Sequence, residues 1–97
     1  MVQYIEAPAT VTVTVNMVAG YPAPNVSIVL YANGTQIGSK SMSIPKGQSD
    51  SLAVQITGLG SYTIAAHATA SNQFGTVEGD SVPIDIVVGE KPSIVWG

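Results

Sequence analysis

The chain has no cysteine, no arginine and only three lysines in 97 residues, and charged residues make up 9% of it against roughly 25% in ordinary soluble domains. Without cysteine there is no disulfide staple, no inter-sheet bridge of the antibody type and no thiol nucleophile. Without a basic cluster, the counterion release that drives nucleic-acid binding has almost nothing to act on, so nucleic acid is not an expected partner. The longest apolar run covers residues 28–32, far short of the ~20 residues of a membrane-spanning helix, and the start of the chain lacks a basic stretch leading into an apolar core. No membrane insertion is expected. Internal repeats are also absent.

What is present is β-branched. Val, Ile and Thr together number 30 against three Leu, and side chains stiff at χ1 favour the pleated strand over the helix. An apolar fraction of 45% is too high for disorder, and the length suits one core. An all-β domain is therefore expected, with a surface of Ser, Thr, Asn and Gln. Such an uncharged polar surface suits an extracellular or particle-surface location.

Residues 10–17 alternate strictly, with Val11, Val13, Val15 and Met17 on one face and Thr10, Thr12, Thr14 and Asn16 on the other, the pattern of a half-buried antiparallel strand. Two prolines near Tyr21 interrupt the pattern, and a second strand follows over residues 25–32 with Val26, Ile28 and Leu30 inward. Asn33-Gly34 is a strong hairpin signal, because both residues tolerate the positive φ of a type I′ turn. The chain is expected to return over residues 35–44, turn at 45–50, and form strands with Leu52, Val54 and Ile56 inward and then Tyr62, Ile64, Ala66 and Ala68 inward. A loop near 71–75 leads to a last strand in which Val82, Ile84, Ile86 and Val88 share a face and Pro83 marks a bulge or free edge. With a short opening strand at 2–5, about seven strands result, which predicts a two-sheet antiparallel sandwich over residues 1–88. Its core is expected to include Val13, Val15, Ile28, Leu30, Val54, Ile56, Ile64, Ala66, Ile84 and Ile86.

Residues 20–88 resemble immunoglobulin-like modules. Gly20-Tyr-Pro-Ala-Pro24 is similar to the lead into strand C of intermediate-set immunoglobulin domains, and Leu30-Tyr-Ala-Asn-Gly34 to their Trp-Tyr-x-Asn-Gly hairpin, with Leu30 in place of the tryptophan. The 60–68 segment resembles strand F, where the resemblance makes Tyr62 the corner tyrosine and Ile64 the replacement for the second cysteine. The Asn-Gly hairpin, Ile44-Pro-Lys-Gly47 and Gly60-Ser-Tyr62 resemble the prokaryotic cell-adhesion-related domain (CARDB) equally well. The resemblance implies an immunoglobulin-like sandwich of a prokaryotic or viral surface protein, and fold-level likeness assigns no chemistry.

Chemistry is sparse. His67 is the single histidine, and with no nucleophile elbow around it no catalytic residue is assigned and the chain is not expected to be an enzyme. Glu78 and Asp80 share a face if both lie in a strand, while Asp85 is expected to point the other way, so no metal site is assigned; no cofactor is implied either. Asn25 and Asn33 head glycosylation sequons. Asn72, Gln73 and Phe74 form a loop with an aromatic, a common binding element on sandwich scaffolds, but one isolated apolar residue needs no functional account, and Phe74 is expected to pack over the end of the core. Residues 89–97 read as a linker or the start of a following module: after Pro92 the strand-like Ile94, Val95 and Trp96 could add to a sheet elsewhere or pack Trp96 back onto this domain.

These features describe a non-catalytic structural or interaction module, a spacer or adhesion domain of a larger surface protein. Its partners would be protein, either neighbouring modules or copies of itself. Two further roles fit: a structural subunit of a virion, pilus or surface layer joined by strand addition, and an accessory carbohydrate-binding domain of a secreted hydrolase, with carbohydrate as its partner.

Overall fold

Alternating β-branched residues build strands and nothing else: a computed structural model describes residues 2–97, and these contain eight strands and no helix. The strands are β1 (Val2–Glu6), β2 (Ala9–Asn16), β3 (Asn25–Ala32), β4 (Thr35–Ser43), β5 (Ser49–Ile56), β6 (Gly60–Asn72), β7 (Gly75–Asp80) and β8 (Ile84–Gly89). One sheet has the order β1-β8-β6-β3-β4, with β7 also paired to β6; the other holds only β2 and β5. All pairs are antiparallel except β1 with β8, which run parallel. The expected all-antiparallel sandwich is corrected at that edge.

The thirteen residues of β6 are the spine of the large sheet. Its second half pairs with β7 and its first half with β8, both on the side away from β3. Between β7 and β8, Ser81 splices the ladder: its N–H donates to the Ala66 carbonyl at 2.8 Å, and its Oγ accepts from the Ala66 N–H at 2.8 Å. Pro83, which has no N–H to leave unpaired, sits in this break as expected. The strand β7 has no signature in the sequence, because Thr76, Glu78 and two glycines give residues 75–80 no apolar alternation. Residues 71–75 are accordingly a tight hairpin with a two-residue turn at Gln73 and Phe74, rather than an open loop.

The core is wholly aliphatic. Ala9 and Val11 from β2, Val26, Ile28, Leu30 and Ala32 from β3, Leu52 and Ile56 from β5, Ile64 and Ala66 from β6, and Ile86 and Val88 from β8 are buried with Ile44, and among the described residues no polar side chain is buried. Six of the ten expected core positions are in this set, and Val13, Val15 and Val54 are packed against it half-buried. Ile84 is not, at 47% exposed, and Val82 lies outside any strand and in solvent. Val82 is exposed because it lies in the break between β7 and β8. Ile84 shares the inward face with its partner Ile64, but the two-stranded sheet lies over β3 and its neighbours and is too narrow to reach the start of β8, so this side chain faces water.

Contacts between β4 and β5 fix where the narrow sheet lies. A Cβ on Gly38 would meet Val54 Cγ2 at 2.5 Å, so glycine at this β4 position lets β5 approach. Nearby, Lys40 Nζ donates to Asp50 Oδ1 and to the Ser51 carbonyl, each at 3.1 Å. At the opposite end of the narrow sheet, the Tyr62 hydroxyl donates to the Gly58 carbonyl at 2.8 Å, the short upstream bond expected of a corner tyrosine.

Replacing Gly38 with alanine should destabilise the fold by ~1–3 kcal/mol through overpacking against a branched side chain, readable as a lowered denaturant midpoint with unchanged slope. Asp50 supplies a pH-dependent term. The Ser51 backbone N–H and the Lys40 ammonium hold its carboxyl below the ordinary 3.8, so its contribution is present above that value and is lost as pH falls through the lower folded value. The stability gap between the wild type and Asp50→Asn should therefore be constant near neutrality and close below about pH 4.

Candidate functional site

The sandwich has two ends and one open flank. At one end the chain between β2 and β3 meets the β6–β7 hairpin. Tight-turn chemistry shapes the hairpin: the Asn72 carboxamide oxygen accepts from the Phe74 N–H at 2.9 Å, and its nitrogen donates to the Pro22 carbonyl at 3.1 Å, tying the two loops together. Asn72 is thus a positioning residue. Phe74 stands 85% exposed at the tip beside Gln73, so the expectation that it packs over the end of the core is corrected. Tyr21, also 85% exposed, and Val18 stand on the neighbouring loop. Tyr21, an aromatic beside two prolines in a non-strand stretch, is a legible signal in the sequence, whereas Val18 carries none.

The flank lies between β2 and the β6–β7 hairpin. Register puts Val77 opposite Ala70 and Gly79 opposite Ala68, hence on the same face as the core, yet Val77 is 71% exposed because no strand of the second sheet covers it. Two clefts of about 250 and 320 Å³ lie end to end here. The first runs between Val13 and Val15 of β2 and Ala66, Ala68 and Gly79, and the second continues from Met17 to Ala70, Val77 and Phe74. Among the described residues no strand pairs with the side of β2 that faces this groove.

The remaining expected residues are dispersed. Asn25 is exposed at the start of β3. Asn33, with φ of 52°, and Gly34, with φ of 80°, form the expected positive-φ turn. The Asn33 side chain extends the β3–β6 ladder beyond its last backbone pair: its nitrogen donates to the Ser61 carbonyl at 3.1 Å, and its oxygen accepts from the Thr63 N–H at 2.8 Å. His67 and Asp80 are cross-strand neighbours on the outer face, with Nδ1 to Oδ1 at 2.7 Å. Asp85 accepts from the Thr63 hydroxyl at 2.9 Å and lies on that same outer face. Its expected opposite orientation is corrected, since the break at residues 81–83 shifts the alternation by one. Among the described residues no three metal-binding side chains come together. Residues 90–97 form no strand, and Ile94, Val95 and Trp96 are exposed, Trp96 at 89%; packing of Trp96 onto the domain is corrected.

Comparison with protein families, with curated proteins and with solved structures finds no match for this chain.

Asn33→Asp tests the bridge to β6, since aspartate also tolerates positive φ but cannot donate to the Ser61 carbonyl. The expected outcome is a loss of ~1–3 kcal/mol at neutral pH, recovered in part when the new carboxyl is protonated.

Proposed function

We propose that the chain is a non-catalytic, immunoglobulin-like module that acts as a spacer or interaction domain in a surface-exposed assembly. The strand order supports the immunoglobulin-like assignment: a long β6 flanked by β3 and by the β7–β8 pair, β1 parallel to β8, and β2 with β5 as the opposing sheet. So does the Tyr62 hydroxyl bond to Gly58. The CARDB likeness rests on the same hairpin, Pro-x-Gly turn and Gly-x-Tyr residues that suggested it.

The observation that carries the role is the placing of exposed apolar groups at the two ends of the molecule. The long axis is 68 Å, of which the sheets take about 43 Å, the span of β6, and the segment 90–97 the rest. Tyr21 and Phe74 stand at one end, and Ile94 and Trp96 beyond the other. Contact groups at both ends are what a module that joins neighbours requires. Carbohydrate binding has weaker support, because the aromatics are split between the ends rather than aligned on one face. A structural subunit joined by strand addition is the stronger second reading, supported by the open flank of β2 and the unpaired segment 90–97.

Antibodies raised against the folded chain should label intact cells or particles of its source without permeabilisation. Labelling only after lysis overturns the surface role, and catalytic turnover abolished by His67→Ala overturns the non-catalytic one.

A further inference from the structure

The groove beside β2 has the dimensions and composition of a missing strand. It extends along β7 from Ser81 to Gly75, about 20 Å at strand spacing. One wall is the unpaired backbone edge of β2, and the floor is Ala66, Ala68, Ala70 and Gly79, small residues that leave room for large side chains. An apolar floor beside an open ladder edge is an acceptor for an extended segment, which would gain main-chain hydrogen bonds from the edge and burial from the floor.

Residues 90–97 are a donor of matching form. Their eight residues span about 26 Å when extended, and β6 spans about 43 Å, which together account for the 68 Å long axis. The segment therefore continues the body outward from the end of β8, away from its own groove, whose mouth lies at the opposite end between the β2–β3 loop and the β6–β7 turn. In an extended chain Ile94 and Trp96 share a face, with Val95 on the other.

We infer that residues 92–97 of one copy insert into this groove on a second copy, as a third strand of the β2–β5 sheet. This rests on the strand-addition reading above and specifies its two surfaces. Copies stacked along the long axis bring the segment in at the Phe74 end, running antiparallel to β2. Ile94 then meets Met17, Ala70 and Val77, and Trp96 reaches the Val13, Ala68 and Gly79 stretch. Donor and acceptor are different surfaces, so the contact is heterologous and propagates into open chains rather than closing as a dimer.

The test uses the full chain and its single tryptophan. Sedimentation at rising concentration should show a ladder of species, accompanied by a shift of Trp96 emission to shorter wavelength as the indole leaves water. Trp96→Asp, which blocks the donor, and Val77→Lys, which blocks the acceptor at an exposed position, should each retain the wild-type circular dichroism and melt while moving assembly to at least ~10-fold higher concentration, a loss of ~1.4 kcal/mol. Mixed together, the two variants should form a one-to-one dimer and nothing larger, since one intact donor meets one intact acceptor. Assembly that persists in both variants keeps the subunit reading and overturns this contact. An emission shift independent of concentration shows the segment in its own groove and overturns the second copy as occupant. A chain that stays monomeric with unshifted emission at about 1 mM overturns both.

Discussion

A sheet of two strands cannot cover a sheet of six, and the disposition of β2 and β5 decides which inward-facing side chains become core. Where the narrow sheet lies over β3 and the first half of β6, aliphatic residues such as Ile28, Leu30 and Ile64 are sealed from water. Where it stops short, Val77 and Ile84 point the same way and remain wet. The close approach at Gly38 and the Lys40 bridge to Asp50 and Ser51 hold β5 against β4, and that attachment at one edge leaves the other flank open. Burial of apolar area, at roughly 25 cal/mol per Å², is thus concentrated in one half of the interface.

Elements with strict alternation were legible in the sequence. The inner faces of β2, β3, β5 and the first half of β6 follow directly from residues of period two, and Asn33-Gly34 specifies its turn because few other pairs tolerate two successive positive φ values. The break between β7 and β8 was only half legible. Pro83 announced it, but the Ser81 side chain that repairs the ladder has no sequence signature, and the change of alternation it causes displaced Asp85 to the other face. Whether Ile84 is buried could not be read at all, since its pattern is that of a core strand and the deciding fact is the width of the opposing sheet.

The candidate surfaces divide in the same way. Phe74 was visible as an aromatic in a loop, and residues 93–97 as strand-like sequence beyond a linker. The groove was not visible, because its floor is made of Ala and Gly from β6 and β7, residues that look unremarkable in any linear window. It exists only through register, where Ala68 and Gly79 come opposite each other and a strand that would cover them is missing.

The parallel β1–β8 pair has a consequence for how the domain would respond to tension. A pull applied through residues 2 and 90 drives β1 and β8 in opposite directions along their common axis, so that the five register pairs from Val2 with Asp85 to Glu6 with Gly89 are loaded in shear and share the force. A hairpin pulled from its open end, by contrast, yields one pair at a time. Resistance to forced unfolding is set by the unfolding rate rather than by equilibrium stability, so in such a pull this short edge ladder, modest in its burial, would bear the load.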